Sequence, residues 1–383
     1  MSLANGRRGR RREIDGVAIG VVYCALPALF ARRQEACPIS RLPVSRVPTE
    51  RPHAMTDVSQ RILVTGGAGF IGAALVAAPG QAGFAARAGA RRPPASATDA
   101  ACDLDDAGQT RAAVEGAALV AHTAYGDPGA MRRQCATLLA AMEDASVDNL
   151  VYFSSIAVYG AREGDIVETD GPVGALDAYA AGKIACEDLV RAWADDPAHP
   201  ERRAIILRPG IVYGAGSRYW IDRLARRIRA GVWGDFGATG DGIAALVHVD
   251  DLADLVIRAA QRLTGEDRAS LPRAAALNVV GPETPRWNAY FVALAEALGA
   301  PALPTLDAAV LARRAPVALA AKVWRRIGLP GFEKQALIPT GGELGLFART
   351  ARYDTRAARD LLGFTPQISM AEGLKRSISR AKK

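Results

Sequence analysis

From residue 60 onward, short apolar runs typical of buried strands alternate along the chain with segments of helical pattern. The runs are Arg61–Thr65 and residues 84–90, 118–120 and 150–153, and the first is followed by a glycine-rich turn and a helical pattern over residues 73–78. Strands that alternate with helices are typical of an α/β fold with a parallel sheet. A chain of 383 residues suits one large α/β domain with an appended smaller one, or two ordinary domains.

The glycine-rich turn predicts a dinucleotide-binding site. Gly66, Gly69 and Gly72 are spaced G-x-x-G-x-x-G, with Phe70 and Ile71 between the last two. Glycines let the backbone approach a pyrophosphate, and the start of the following helix offers unpaired N–H groups and a positive dipole end. A glycine pattern alone often marks only a turn, but here a strand precedes it and a helix follows. We therefore expect these five residues to contact a cofactor.

The residues after the second predicted strand favour NADP over NAD. An acidic side chain there usually binds the ribose 2′-hydroxyl of NAD, whereas this chain has Arg91 and Arg92. Two guanidinium groups suit a 2′-phosphate, although a solvated loop is the alternative explanation. Asp103 ends the next strand-like segment and is expected near the adenine, and Ala124 follows the strand at 118–120 and is expected beside the cofactor.

Three residues further along the chain suit proton transfer to a carbonyl oxygen. Ser155 follows the strand at 150–153, and Tyr179 and Lys183 come 24 and 28 residues later. Positions i and i+4 share a helix face, so the phenol and the ammonium point the same way. The ammonium is expected to lower the phenol pKa from about 10, and the serine hydroxyl to hold the carbonyl oxygen. The alternative is an amphipathic helix with an exposed lysine.

Charge and cysteine content narrow the functional classes. The net charge is +8, but residues 1–54 contain ten arginines and four acidic residues, so +6 lies there and the rest of the chain carries +2. That part has no basic stripe interleaved with aromatic residues, which argues against a nucleic-acid partner. The five cysteines form no C-x-x-C pair, so no metal site is expected, and the odd count fits a reducing, cytoplasmic compartment.

The first 54 residues are expected to be a disordered or wrongly assigned extension, with Met55 as the natural start. Arginines cluster at residues 7–12, an apolar stretch of about 14 residues follows, and a Pro/Arg-rich segment comes next. The apolar stretch is too short to cross a bilayer comfortably, so no membrane span is expected. A targeting segment and a functional tail remain alternatives.

Taken together, the motifs resemble those of the extended short-chain dehydrogenase/reductase family, also called the NAD-dependent epimerase/dehydratase family. The segments that carry the resemblance are TGGAGFIG at 65–72, FSSIAVYG at 153–160, YAAGK at 179–183, RPGIVYG at 208–214, VHVDDLA at 247–253, and residues 353–355, 362–366 and 372–374. The resemblance covers about residues 60–378.

That resemblance implies a Rossmann doubly wound parallel sheet with a smaller C-terminal substrate-binding lobe. The domain would span residues 55–378, with the Rossmann core at about 60–210 and 240–280 and the lobe at about 211–239 and 281–378. It also implies that Tyr179 is the acid/base, that Lys183 is its electrostatic partner and a ribose ligand, and that Ser155 holds the carbonyl. A homodimer follows only from the resemblance.

Departures from the family pattern indicate a weakly charged small-molecule substrate. Nucleotide-sugar members usually have an asparagine where this chain has Ile211, and an arginine for the substrate diphosphate where it has residues 242–246, GIAAL. The resemblance is therefore nearer to the hydroxysteroid-dehydrogenase and dihydroflavonol-reductase branches. A nucleotide-sugar epimerase or dehydratase with retained cofactor, and a non-catalytic NADP-binding redox sensor, remain alternatives. Met131 falls near the usual position of a water-binding asparagine, which keeps the sensor alternative open.

Two segments of the expected lobe have further possible roles. Residues 218–231 form a basic helical pattern that could contact an acidic substrate, although a solvated face is the simpler account. Residues 308–327 are alanine-rich and contain Trp324. That segment could be a mobile cover over the pocket, a helix leaning on a membrane, or an ordinary packed helix.

Overall fold

The computed structural model describes residues 61–78, 83–92, 99–327, 330–339 and 341–380. The expectations for residues 1–54 and for Met55 lie outside this part of the chain. None of the helices in the described ranges is both long enough and apolar enough to span a bilayer. The described cysteines Cys102, Cys135 and Cys186 are buried free thiols.

The secondary structure alternates between strands and helices up to about residue 280 and is mainly helical afterwards. The strands are β1 (Arg61–Thr65), β2 (Ala85–Ala90), β3 (Ala100–Ala101), β4 (Leu119–His122), β5 (Asn149–Phe153), β6 (Asp165–Ile166), β7 (Arg203–Pro209), β8 (Ile211–Tyr213), β9 (Leu246–His248), β10 (Ala274–Val279) and β11 (Arg352–Tyr353). The α-helices are α1 (Phe70–Ala77), α2 (Ala107–Val114), α3 (Met131–Asp144), α4 (Ala178–Ala194), α5 (Arg223–Arg229), α6 (Val249–Thr264), α7 (Trp287–Ala297), α8 (Ala308–Arg326), α9 (Gly341–Phe347), α10 (Arg356–Leu362) and α11 (Met370–Arg380). Short 3-10 helices span Ile156–Tyr159, Glu168–Asp170, Gly237–Gly240, Glu266–Ser270 and Gln335–Leu337, and Arg218–Asp222 is π-helical.

Seven strands form one parallel sheet in the order β10-β7-β5-β4-β1-β2-β3. The chain runs outward from β1 in both directions, so the strand order reverses between β1 and β4. Ligands of such sheets bind at the carboxyl ends of the strands next to this reversal. The predicted Rossmann fold is confirmed.

Strand residues alternate between two apolar layers, one on each face of the sheet. Ile62 and Val64 of β1 pack with α6, whereas Leu63 packs on the opposite face with α3 and α4. Both layers are buried, so the strands read as continuous apolar runs rather than as alternating ones. Burial of each large aliphatic side chain contributes about 1.5–3 kcal/mol, which makes this double layer the main source of stability.

A separate aromatic core holds the C-terminal lobe together. It contains Trp233, Phe236, Trp287, Phe291 and Phe347, all 1% exposed or less. Their rings contact one another at centroid distances of 4.9–5.9 Å, several of them edge to face. Such pairs stabilise a core beyond the burial of area alone.

The basic segment at 218–231 is only partly the solvated helix that its pattern predicts. It begins with the π-helical turn and continues as α5. Arg226 and Arg229 are exposed, but Arg227 is 1% exposed and forms two hydrogen bonds with Glu343 of α9, at 2.8 and 3.2 Å. A charge this deeply buried requires a partner, and Glu343 lies 116 residues away in sequence.

Candidate active site

The glycine-rich turn closes tightly around the start of α1. Gly66 takes φ +72°, and a Cβ added there would lie 2.7 Å from the Cα of Ala124. A Cβ on Gly72 would lie 2.2 Å from the carbonyl oxygen of Gly66. Only glycine fits either position, so the turn can pack closely against both the residues after β4 and the start of α1.

Helix α1 begins at Phe70, three residues before the helical pattern at 73–78, and its N-cap is Gly69. The first-turn N–H groups of Phe70, Ile71 and Gly72 have no partner within the helix and point toward the turn. Ala124 packs against Gly66, so the structure brings all the expected pyrophosphate residues and Ala124 together. The residues present therefore fit a dinucleotide.

The predicted adenosine end lies at the carboxyl ends of β2 and β3. These strands pair through Gly89 and Ala90, so Arg91, Arg92 and Asp103 follow at the same edge of the sheet. Both arginines are exposed, and the carboxylate of Asp103 accepts a hydrogen bond from the backbone of Asp105 at 3.1 Å. The two arginines thus follow β2 at the predicted adenosine end of the site.

Ser155, Tyr179 and Lys183 meet at the carboxyl end of β5. Ser155 is the N-cap of the short helix Ile156–Tyr159, and its hydroxyl makes a hydrogen bond with Tyr179. Tyr179 lies in the first turn of α4. Asp177 is the N-cap of this helix, and its side chain accepts a hydrogen bond from the backbone N–H of Ala180 at 2.7 Å.

Lys183 lies one turn beyond Tyr179 on the same helix, and its Nζ is 5.8 Å from the Tyr179 ring centroid. The ammonium is 5% exposed and donates a hydrogen bond to the carbonyl oxygen of Phe153 at 2.5 Å. It also lies 5.1 Å from the centroid of the Tyr152 ring. Two aromatic faces and one carbonyl thus hold the ammonium beneath the tyrosine.

Burial sets the pKa values of this pair. It raises the pKa of Tyr179 to about 12, opposed by the hydrogen bond with Ser155. It lowers the pKa of Lys183 to about 8. The expected net lowering of the phenol pKa does not occur in this structure, because desolvation of the ring dominates. The phenol is therefore protonated near neutral pH.

We expect the variant Lys183→Met to be more stable than the parent below pH 8, by about 1–3 kcal/mol. In the parent, the native state holds the lysine proton less tightly than the unfolded chain does. Stability of the parent therefore rises as pH increases from about 8 to 10.5, and the difference between the two proteins shrinks over that range. Urea unfolding at a series of pH values measures this. The exposed Lys375→Met is the matched control, and a less stable Lys183→Met at pH 7 would contradict the prediction.

His122 is a structural residue of the site. It is 6% exposed, its Nδ1 lies 2.6 Å from the Thr65 hydroxyl, and its ring stacks on Tyr152 at 5.6 Å. Burial and the Lys183 charge lower its pKa to about 3, so the imidazole is neutral. It joins the ends of β1 and β4 beneath the site and does not carry a proton in the physiological range.

Sequence reasoning missed Tyr125. Its ring packs edge-on against Tyr179 at 5.2 Å and is 40% exposed, so it forms part of the open side of the site. Its position directly after Ala124, at the carboxyl end of β4, is the signal that places it there. Met131, where the family usually has an asparagine, is buried at the start of α3, and a Cβ on Gly182 would lie 2.9 Å from its sulfur.

A buried polar network under the site was also missed. Arg208 of β7 and Glu187 of α4 are both 0% exposed and form two hydrogen bonds, at 2.9 and 2.7 Å. The Ser154 hydroxyl donates to Glu187 at 2.5 Å, and Arg208 donates to the Tyr159 hydroxyl at 2.7 Å. The Tyr159 hydroxyl in turn donates to the side chain of Asn278 at 2.6 Å. The network joins α4 to the strand end that precedes Ser155.

Comparison with known proteins agrees with this geometry. The family model of the NAD dependent epimerase/dehydratase family matches residues 62–269. The chain belongs to this family. A nicotinamide dinucleotide is accordingly the class of cofactor for which the site is built.

Individual relatives come from several branches of the family. The chain is 30% identical to UDP-glucose 4-epimerase of Azospirillum brasilense over 52% of this chain and 68% of that protein. It is 24% identical to 3beta-hydroxysteroid-dehydrogenase/decarboxylase isoform 2 of Arabidopsis thaliana over 72% of this chain and 50% of that one. A further match, an undecaprenol-linked sugar 4-epimerase of Escherichia coli O157:H7, is covered over 35% of its length. The chain thus spans half or less of the length of these last two relatives.

Among solved structures, MoeE5 in complex with UDP-glucose and NAD has a TM-score of 0.61 and 26% identity. The likeness covers 84% of this chain and 98% of that one.

Proposed function

We propose that this protein is an NADP(H)-dependent oxidoreductase that transfers hydride to or from a weakly charged carbonyl or alcohol. The observation that carries this function is the arrangement of Ser155, Tyr179 and Lys183 at the strand ends beside the glycine-rich turn. When bound, the nicotinamide supplies or accepts the hydride.

Each of the three side chains has a separate role in the reduction direction. The Ser155 hydroxyl binds the carbonyl oxygen and stabilises the charge that develops on it. Tyr179, protonated because burial raises its pKa to about 12, donates its proton to the resulting alkoxide, which is a stronger base. The Lys183 ammonium, one turn below, stabilises the phenolate that remains. The same residues run the reverse path once the phenol has lost its proton.

The surroundings of Tyr179 suit a substrate of low charge. Tyr125 contacts the Tyr179 ring and is 40% exposed, and Val173 and Leu176, in the segment that leads into α4, are 48% and 42% exposed. Ile211 lies in β8, beside Ala245 and Leu246. Apolar and small side chains bind an aliphatic or aromatic body and offer nothing to a diphosphate.

Replacement of both Arg91 and Arg92 by alanine is expected to raise KM for NADPH about 10–100-fold and to leave KM for NADH nearly unchanged. The reason is the loss of two charge-assisted contacts to the 2′-phosphate, which NADH lacks. Initial rates with each cofactor measure the effect. Arg111→Ala, an exposed arginine on α2, is the control. An equal rise in KM for NADPH and NADH would show that the arginines do not bind the 2′-phosphate.

A nucleotide-sugar epimerase with retained cofactor is the second candidate. It is favoured by the resemblance to UDP-glucose 4-epimerase over 68% of that protein and to the MoeE5 complex. Such an enzyme would bind a UDP-sugar saturably and would consume no added NADPH.

One experiment separates these functions. Purified protein is incubated with NADPH and a panel of ketones, aldehydes and a keto-sugar nucleotide, and the loss of reduced nicotinamide is followed by absorbance. Turnover of an uncharged carbonyl supports the oxidoreductase. Interconversion of UDP-sugars without NADPH consumption supports the epimerase instead. NADPH binding without either activity would leave only a cofactor sensor.

A further inference from the structure

One surface of the C-terminal lobe is unusually apolar. Of the ten large apolar side chains exposed in the described part of the chain, six lie within residues 317–332. These six are Val317, Leu319, Val323, Trp324, Ile327 and Phe332, and each is 41–64% exposed. We call this set the outer face of α8. Scattered apolar residues on a surface need no explanation, but a contiguous cluster marks a surface that binds something.

Helix α8 exposes most of its large apolar side chains and buries mainly small ones. It packs inward mainly through Leu311, Ala318 and Ala321, which are 8% exposed or less. Leu319, Val323 and Ile327 follow one another at four-residue spacing on the opposite side, and Trp324 and Val317 continue the exposed stripe next to them. A helix that served only to close the lobe would bury its large side chains and expose the alanines. Folding of this chain alone therefore does not account for the outer face.

The charges around the outer face are predominantly positive. Arg313, Arg325 and Lys334 are exposed beside it, and residues 308–334 contain six basic residues and one acidic residue, the exposed Glu333. A partner must therefore offer apolar contact together with negative charge. A second copy of the same surface fits poorly, because a two-fold contact would bring the cationic rims together.

The aromatic pair at the end of α8 suits a boundary between apolar material and water. The Trp324 indole N–H donates to the carbonyl oxygen of Pro330 at 3.0 Å, so the ring can enter an apolar phase without losing a hydrogen bond. The ring packs edge-on against Phe332 at 5.9 Å. Phe332 takes φ +57°, an uncommon conformation for a bulky residue, and its ring is half exposed.

We propose that the outer face of α8 adsorbs to an anionic lipid surface, with the helix lying in the interfacial plane. The apolar side chains and Trp324 would enter the boundary between headgroups and acyl chains, while the arginines contact the anionic headgroups. This mode of binding needs no membrane-spanning helix. It also does not require catalytic activity, so it stands apart from the proposed reaction.

Quenching of Trp324 fluorescence by brominated lipids tests the adsorption directly. The chain has five tryptophans, of which Trp193, Trp233 and Trp287 are buried, Trp220 is half-buried, and residues 1–60 contain none. Full-length protein is mixed with vesicles of brominated phosphatidylcholine, with and without phosphatidylglycerol. We expect quenching with the anionic vesicles, weaker quenching with the neutral ones, and loss of the signal in Trp324→Phe.

Two variants separate the apolar and the charged contributions. Leu319→Asp is expected to weaken the vesicle partition seen by Trp324 by about tenfold or more, because it places a charge in the apolar phase. Arg313→Glu together with Arg325→Glu is expected to weaken partition to anionic vesicles by a similar factor, and added salt should act in the same direction. Val292→Asp, at an exposed valine of α7, should leave partition unchanged.

Absence of quenching with anionic vesicles would overturn the adsorption. So would quenching that survives Leu319→Asp or Trp324→Phe. Sedimentation velocity tests whether a second copy of the chain occupies the outer face instead. If the protein does not bind vesicles but forms a dimer, and Leu319→Asp dissociates that dimer, the outer face is a contact between two copies. Circular dichroism and NADPH binding of each variant confirm that it is folded.

Discussion

Replacing Tyr179 by phenylalanine is expected to lower turnover of the carbonyl substrate about 10²–10⁴-fold and to leave NADPH binding unchanged. The change removes one hydroxyl and keeps the ring that packs against Tyr125 and lies over Lys183. What is lost is the proton donor that Ser155 holds in place. Steady-state rates and a fluorescence titration with NADPH measure the two effects separately.

Tyr125→Phe is the matched control, since it makes the same change on the neighbouring ring. We expect its turnover to remain within a few-fold of the parent. If Tyr125→Phe abolished turnover and Tyr179→Phe did not, Tyr125 would be the proton donor and the assigned roles would be wrong.

The pH dependence of the same reaction follows from Lys183. Its pKa is lowered by burial to about 8, so the ammonium is present below that pH and is lost above it. The phenol stays protonated throughout, because its pKa is about 12. We expect kcat/KM for reduction to be level at lower pH and to fall as pH rises through about 8.

The second large effect is expected on stability, at the buried pair of Glu187 and Arg208. Glu187→Leu should lower the free energy of unfolding by about 3–5 kcal/mol, because it leaves the Arg208 guanidinium buried without its carboxylate. The double variant Glu187→Leu with Arg208→Met removes both charges. We expect it to be more stable than Glu187→Leu alone, although it has two substitutions.

Urea unfolding of the three proteins measures this difference. Arg191→Met is the control, because Arg191 also pairs with Glu187, at 3.3 Å, but is 35% exposed. A half-solvated pair contributes about 0–1 kcal/mol. If Glu187→Leu cost no more than Arg191→Met, the buried pair would be dispensable for stability.

Acid should weaken the same pair. Burial raises the pKa of Glu187, but the hydrogen bonds and charge of Arg208 outweigh burial and hold the pKa below its ordinary value of 4.5. Stability from this carboxylate is therefore present above that value and is lost as pH falls through the native pKa. Glu187→Leu should lack this component of acid destabilisation.

The sequence by itself determined the parts of the site that depend on local geometry. The strand at residues 61–65, the glycine-rich turn and the start of α1 are contiguous, so their order alone predicts a dinucleotide site. Tyr179 and Lys183 share a helix face because they are four residues apart. Ser155 was located because parallel strands present their carboxyl ends at one edge.

Only the tertiary structure decided the features that depend on distant contacts. Arg208 of β7 forms its hydrogen bonds with Glu187 of α4, and Tyr125, after β4, contacts Tyr179 of α4. The phenol pKa is raised because burial depends on everything packed around the ring, which spacing does not reveal. The sequence left three roles open for residues 308–327, because a helical pattern does not say which face the rest of the fold covers. In the structure the small side chains face inward, and that leaves Trp324 and its apolar neighbours outside.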